Sequence, residues 1–473
     1  MREYGDVGMR ILLVVYDNDS YISWFPQGIA YIASALRNEG HEVVIYNQDV
    51  YHYPDEQLTT YLNKTHFDVV GIGVVGGYYQ YRKLLKLSEA INASKDRPFY
   101  VIGGHGPSPE PEYFLRKSGA DVVVIGEGEE TIVEVMNTLG NSSHLDMSKI
   151  KGIAYLDPDG KCVITPRRNL IQDIDKISLP AWDLFPMDHY VLRRGVNSKP
   201  SQRVFPVLSG RGCPFHCNFC YRLDKGFRAR TPESIIDEIQ KLKRDYNINY
   251  IIFSDEILMA SVERTTLLCE ALIKAKLDIA WDCCGRLNYA KPPLLKLMKR
   301  AGCNYIGYGV ESFNDSVLKV MKKNLTTKQI TSGLEATLEA GIIAGVFVMF
   351  GNIGETKEDL NRTVNFLLNY KDYSELRTIR PVTPYPGSPL YYYAIEKGLL
   401  KDCADFYENK HTNSDLLSIN FTDLTDEEFN KALLEANTAL ITQYYDNALN
   451  QALNQAKKLY LENDSTFRGF RTV

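Results

Sequence analysis

Across most of this 473-residue chain, short β-branched runs alternate with stretches whose apolar residues recur at helical spacing, and this alternation restricts the fold more than any other feature. Arg10–Tyr16, Glu42–Tyr46, Asp68–Val75, Phe99–Gly103 and Ala120–Ile125 read as strands, with Gly28–Asn38, Tyr79–Ala93 and Glu112–Lys117 as helices among them. Such alternation implies a parallel sheet covered by helices on both faces. Residues 9–140 are therefore expected to form an α/β domain with a doubly wound, Rossmann-like parallel sheet. Ligands of such sheets sit outside the carboxyl ends of the strands. Those ends carry Asp17-Asn-Asp-Ser20, Gly76-Gly77, Gly103-Gly-His-Gly106 and Gly126-Glu-Gly-Glu129.

Periodicity weakens over residues 141–200, where the turn formers Asp157-Pro-Asp-Gly160 and the stretch from Leu179 to Pro186 appear. Trp182 and Phe185 make this segment an ordered connector rather than a flexible linker. Six further strand candidates follow: Val204–Ser209, Tyr250–Ser254, Ile279–Cys284, Tyr305–Val310, Ile343–Phe350 and Thr378–Thr383. Amphipathic stretches lie between them, among them Pro232–Tyr246, Arg264–Lys276, Pro292–Ala301, Thr327–Ala340 and Lys357–Tyr370. Six β/α units over residues 201–395 predict an open, partial (β/α)6 barrel, two units short of the closed form. Residues 396–473 are expected to be a helical C-terminal region, with Thr425–Glu462 as one or two long helices.

Lys and Arg number 54 against 59 Asp and Glu, a formal charge of −5 with no long basic run, which argues against sequence-independent nucleic-acid binding. Ile11–Tyr16 is too short for a signal-peptide core, and Gly341–Gly351 falls far below the ~20 residues of a spanning helix. A soluble, cytoplasmic protein without a membrane span is expected. Its nine cysteines then default to reduced thiols, and three of them fall within eight residues.

Those three form Cys213-Pro-Phe-His-Cys217-Asn-Phe-Cys220, just after the first barrel strand. Three thiolates suit an iron–sulfur cluster and leave one iron open to another molecule. Structural zinc takes four closed ligands, and the nearby His216 lies inside the loop, where joining the cysteines on one ion would be strained.

With Tyr221, this loop resembles the radical S-adenosylmethionine (radical SAM) family, whose three cysteines hold a 4Fe–4S cluster at the top of a partial barrel. The resemblance implies that the open iron binds S-adenosylmethionine and that one electron splits it into methionine and a 5′-deoxyadenosyl radical. It extends to Phe253-Ser-Asp-Glu256, Cys284-Gly-Arg286, Gly309-Val-Glu-Ser312, Gly351-Asn-Ile-Gly-Glu-Thr356 and Thr383-Pro-Tyr-Pro-Gly387, and covers roughly residues 10–395. Ile353 stands where the family usually has proline. Phe219 matches the aromatic residue near the adenine. By position, Asp255, Glu256 and Glu311, with Ser312 beside it, fall to the amino and ribose groups, and Arg286 to the carboxylate or the substrate. Against this, Glu311 or Asp255 could cap a helix or pair with a neighbouring base. Thr356 with Asp359 reads as a capping box. Cys283, Cys284 and Cys303 read as core thiols, of which only one of Cys283 and Cys284 can face the barrel interior.

The N-terminal domain resembles the cobalamin-binding module fused to many members of this family. Gly76, Gly77, Gly103, Gly104 and Gly126 would let backbone approach a flat corrin without Cβ clashes, and Asp17, Asn18, His105, Glu127, Gly128 and Glu129 share the same strand ends. Cobalamin mutases carry D-x-H-x-x-G after the first strand, whose histidine ligates cobalt. Here Asp19 takes the histidine position and Ile22 the glycine position, so that ligand is missing, and His105 and His41 read as turn or surface residues. The alternative is a degenerate domain that binds no cobalamin.

These likenesses imply a radical enzyme using a 4Fe–4S cluster, S-adenosylmethionine and cobalamin to methylate a carbon or phosphorus centre of a small molecule. A one-electron reductant such as flavodoxin or ferredoxin would be its partner. Cyclisation, ring contraction or another oxidative rearrangement on the same frame is the second reading, and a non-catalytic cofactor-binding sensor the third. Tyr385, Tyr391, Tyr392 and Tyr393 stand near an expected substrate entrance or pack the C-terminal helices. Alanine at Cys213, Cys217 or Cys220 should abolish S-adenosylmethionine cleavage in anaerobically reconstituted protein. Iron analysis should find the other six cysteines dispensable for cluster content.

Overall fold

The computed structural model describes residues 8–19, 25–140, 146–195, 197–223, 226–370 and 374–466; Ile22 lies outside them. The first sheet contains β1 (Arg10–Val15), β2 (Glu42–Asn47), β3 (Val69–Gly73), β4 (Phe99–Gly103), β5 (Val122–Val124), β6 (Ile153–Leu156) and β7 (Cys162–Ile164), in the order β2-β1-β3-β4-β5-β6-β7. Strands β1 to β5 are parallel, as their helix-bearing crossovers require. The last two are antiparallel additions supplied by the segment read as a connector. They were hidden because four- and three-residue strands are too short to show a period. Their turn is Asp157-Pro-Asp-Gly160, where Asp157 Oδ1 accepts the Asp159 and Lys161 amides at 3.0 and 2.8 Å and Gly160 takes φ +76°. The hairpin pairs the β5 edge, which would otherwise expose unpaired amides.

The second sheet follows β8 (Val204–Val207); β9 (Gly210–Arg211) and β10 (Arg228–Ala229) form a separate antiparallel pair. Then come β11 (Tyr250–Phe253), β12 (Ala280–Gly285), β13 (Cys303–Glu311), β14 (Ile343–Phe350) and β15 (Ile379–Pro381). With β8 they make an all-parallel six-stranded sheet, ordered β15-β14-β13-β12-β11-β8, the expected partial barrel. Its two faces are distinct on β14: Ala344, Val346, Val348 and Phe350 are buried under the helices, while Phe347, on the lumen side, is 52% exposed. Registers carry this lumen face across to Gly309, Gly307 and Cys284.

One continuous core joins the two sheets. Phe25 packs against Phe185 and Tyr190 of the connecting segment and against Phe205 of β8, with ring centroids 4.9, 5.2 and 4.8 Å apart. The C-terminal region contributes one 36-residue helix, Asp426–Leu461, opened by a Thr425/Glu428 capping box. It lies on the barrel edge, with Asn437 bonded to both the amide and the carbonyl of Ile379 at 2.7 and 2.9 Å.

Charge also joins the domains, through two residues expected at the cobalamin site. Glu127 accepts from Arg211 of β9 at 2.7 Å and from Arg228 of β10 at 2.8 Å, and Glu129 accepts from Arg211 at 2.5 Å. Glu127 also accepts the Ile171 amide at 2.9 Å. Both carboxylates are thereby committed to docking the first domain on the barrel. Burial alone would raise the Glu127 carboxyl, but hydrogen bonds from Arg228 and Arg211 outweigh it and hold it below the ordinary value of 4.5. A depressed folded-state pKa contributes stability that is present above the ordinary value and lost as pH falls through the folded one. Glu127→Gln should therefore cost about 2 kcal/mol at neutral pH, by replacing the charge-assisted hydrogen bonds from Arg211 and Arg228 with weaker neutral ones. Denaturant titrations from pH 7 downward should show that the loss shrinks below the ordinary glutamate pKa.

Candidate active site

The cysteine loop has no regular secondary structure between Gly212 and Tyr221, apart from an isolated bridge at Cys213. Its shape is therefore set by what grips it. Asn218, between the second and third cysteines, is held on three sides. Its amide donates to Met321 O at 3.0 Å, its carbonyl accepts the Leu390 amide at 2.8 Å, and its side chain forms a reciprocal pair with Asn352. In that pair Nδ2 of each asparagine donates to Oδ1 of the other, at 2.9 and 3.0 Å. Both side chains are buried. Neither asparagine was picked out as a site residue, because a buried amide has no sequence period; the available signal was Asn352 within the Gly351–Thr356 string.

The three thiols share one environment. Burial raises the Cys213 thiol, and raises Cys220 to about 12, with Cys217 adding to both. Cys220 nevertheless keeps accessible surface, so it lies in a recess enclosed by protein yet open to a small molecule. Among the described residues, no three Cys, His, Asp or Glu side chains converge as around one metal ion. A 4Fe–4S cluster asks for a different arrangement, one thiolate on each of three irons. A cationic cluster core would relieve both the crowding and the desolvation of these thiolates, so the donor set fits the group.

Around this loop the proposed S-adenosylmethionine residues divide. Glu256 is exposed and lies in the field of Cys213 and Cys220. Phe219 lies 5.9 Å beneath the Lys323 ammonium. Glu311 stands at φ +68° after an irregularity in the β13–β14 register and pairs with Lys323 at 2.6 Å. A Cβ on Gly309 would come within 2.3 Å of Glu311 Oε1 and 2.7 Å of Lys323 Nζ, so glycine there makes room for this ion pair. Glu311 is thus paired with a neighbouring base within the site.

Asp255 is paired with a base as well. Its carboxylate has no exposed side-chain surface, accepts the Ser209 amide at 2.6 Å and the Ser209 hydroxyl, and lies 3.5 Å from Arg264. Asp255 braces the end of β8 and presents no oxygen to a ligand. Ser312 is fully buried beside the Glu355 carboxyl. Arg286 is not aimed at open space either. Its guanidinium lies 3.5 Å over the Phe215 ring and donates to the carbonyls of Lys323 and Asn324, the latter at 3.3 Å.

The first sheet's carboxyl edge faces the same loop. His105 sits in the turn after β4, edge-on to Tyr221 with ring centroids 6.2 Å apart. It keeps accessible surface while burial lowers its pKa, which again describes a recess. Val75 and Gly76 are exposed on that edge. Gly104 is required, since at φ +103° a Cβ would lie 2.5 Å from Val74 O. Gly126, at φ +87°, opens onto free space. A flat group fits such a cradle. Gly77, Gly103 and Gly128 instead admit close packing by Gln80, Val124 and Ile32. Asp17 is engaged with His52 at 2.7 Å, and Asn18 accepts from Gln80 at 3.5 Å.

Comparison with known proteins agrees with this geometry. The profile described as the radical SAM superfamily matches residues 207–367, and that of the B12 binding domain matches residues 14–136. The chain is 32% identical over 405 residues, 83% of its length and 84% of the relative's, to an uncharacterised methyltransferase of Pyrococcus horikoshii. It is 26% identical over 377 residues, 78% of its length and 66% of the relative's, to an anaerobic magnesium-protoporphyrin IX monomethyl ester cyclase of Rubrivivax gelatinosus. Its fold superposes with TM-score 0.72 and 18% identity, over 92% of this chain and 89% of the other, on a radical SAM methyltransferase, TsrM, from Kitasatospora setae with cobalamin and a 4Fe–4S cluster bound.

The asparagine pair supplies a direct test. Asn218→Ala should lower stability by about 2 kcal/mol, because the Asn352 amide is left buried and unpaired. The Asn218→Ala/Asn352→Ala double variant should cost less than the sum of the two single variants in thermal unfolding.

Proposed function

Since the chain belongs to the radical SAM superfamily and carries its B12-binding domain, we propose that it is a cobalamin-dependent radical methyltransferase acting on a carbon or phosphorus centre of a small molecule. The observation that carries this reading is the contact between the two sites: Tyr221, directly after the third cysteine, meets His105 of the cobalamin-binding edge at 6.2 Å. A substrate in this cleft would lie between a radical source and a methyl carrier. When bound, a reduced 4Fe–4S cluster supplies the electron that splits S-adenosylmethionine, and cobalamin carries the methyl group.

The chain's own residues would bind and orient. Cys213, Cys217 and Cys220 would ligate three irons, and the Asn218–Asn352 pair would hold their loop against β14. Glu256 and the Glu311–Lys323 pair would meet the polar groups of S-adenosylmethionine, with Phe219 near its adenine. Gly76, Gly104 and Gly126, with His105, would line the corrin. Phe347 and Cys284 face the lumen, where an apolar part of the substrate would displace water. A one-electron reductant such as flavodoxin or ferredoxin would serve the cluster. No helix among the described residues is long and apolar enough to cross a membrane.

The likeness to the Rubrivivax cyclase favours a second reading, cyclisation on the same frame. Product analysis separates the two. Methyl transfer should form S-adenosylhomocysteine and 5′-deoxyadenosine in about equal amounts per product, because methylating cobalt and making the radical consume different cofactor molecules. With methyl-deuterated S-adenosylmethionine the label should appear in the product; an unlabelled product at full yield would leave cyclisation.

A further inference from the structure

Arg286 presents an energetic anomaly. It is only 5% exposed, yet among the described residues it forms no ion pair with an Asp or Glu. Buried guanidinium groups are ordinarily matched by a carboxylate, because an isolated buried charge costs several kcal/mol. Its backbone and amide acceptors are neutral: the carbonyls of Lys323 and Asn324, and Asn288 Oδ1 at 3.2 Å. Its other neighbours belong to the cysteine loop. The guanidinium lies 3.5 Å over Phe215, two residues after Cys213, and both Cys217 and Cys213 lie in its field.

We propose that Arg286 is a positioning residue whose countercharge is the cysteine-ligated cluster itself, and that it sets the potential at which the cluster accepts an electron. The inference rests on the reading of Cys213, Cys217 and Cys220 as cluster ligands. Three thiolates on a 4Fe–4S core carry net negative charge, and one more after reduction. A fixed cation in the field of these thiolates therefore stabilises the reduced state more than the oxidised one. Stacking on Phe215 and the two carbonyl bonds hold the guanidinium in place, so little reorganisation accompanies electron arrival. The fork geometry suits arginine, whereas lysine would keep only the charge.

The experiment is an EPR-monitored redox titration of the reconstituted cluster without S-adenosylmethionine, in wild type, Arg286→Lys and Arg286→Gln. Isothermal titration of S-adenosylmethionine into each oxidised protein accompanies it. A cluster signal and about four irons in wild type establish the underlying reading independently. The expected result is that Arg286→Gln lowers the reduced-to-oxidised ratio at fixed solution potential at least tenfold, about 59 mV for a one-electron couple. Arg286→Lys should recover most of that loss, and S-adenosylmethionine affinity should stay within about threefold of wild type in both. Failure of Arg286→Gln to assemble a cluster that Arg286→Lys does assemble, at near wild-type potential, would support the same charge role. Wild-type potentials in both variants would overturn the proposal. A tenfold loss of S-adenosylmethionine affinity at unchanged potential would instead assign Arg286 to the cofactor carboxylate. Equal loss of the cluster in both variants would reduce Arg286 to a packing residue.

Discussion

The structure depends on holding an almost structureless loop still. Three thiols must be presented together, but the segment that carries them makes little regular backbone pairing of its own. Every constraint comes from outside: the Asn218–Asn352 pair from just after β14, the Met321 carbonyl from the end of the helix Asp315–Val320, the Leu390 amide from the first turn of the helix Pro389–Glu396, and the Arg286–Phe215 stack from just after β12. A loop gripped from four elements is only as well placed as the barrel that spaces them. This gives the parallel sheet its structural meaning, since its registers fix where the ends of β12 and β14, which carry Arg286 and Asn352, stand.

Charge is arranged on the same principle. Most acidic residues at the strand ends already have a partner, and the partner decides the role. Asp255 is bound to Ser209 and Arg264 and braces the sheet; Glu127 and Glu129 take Arg211 and Arg228 and lock the two domains. Glu311 is paired with Lys323, yet it stands over a glycine in left-handed backbone beside the cluster loop, a conformation that costs energy and clusters at functional sites. Glu256 keeps its surface. Similar positions in sequence thus separate into buried braces, domain locks and groups left beside the cysteine loop.

The docking of the first domain turns two recesses toward one another. His105 and Cys220 each retain accessible surface although protein surrounds them, and Tyr221 lies between the two sites. A substrate held there would be reached from both sides without leaving the cleft, and the Glu127 lock keeps the two walls in register.

Much of this was legible before any coordinates. The alternation of strands and helices specified both parallel sheets, because a period of two or of 3.6 residues is written locally and side chains must follow it. The C-x3-C-x2-C spacing was legible too, because three thiols so close in the chain need no tertiary contact to meet. The missing cobalt-ligating histidine was equally local. What the sequence did not contain was partnership. That Glu127 meets Arg211 across 84 positions, that Asn218 meets Asn352 across 134, and that the hairpin at 153–164 completes the first sheet are facts of packing. Side chains brought together by the fold have no periodic or spaced signature along the chain. The sequence by itself therefore determined the architecture, and only the tertiary structure decided which charged groups are buried and paired, because burial and the nearest opposite charge are set by packing, not by residue type.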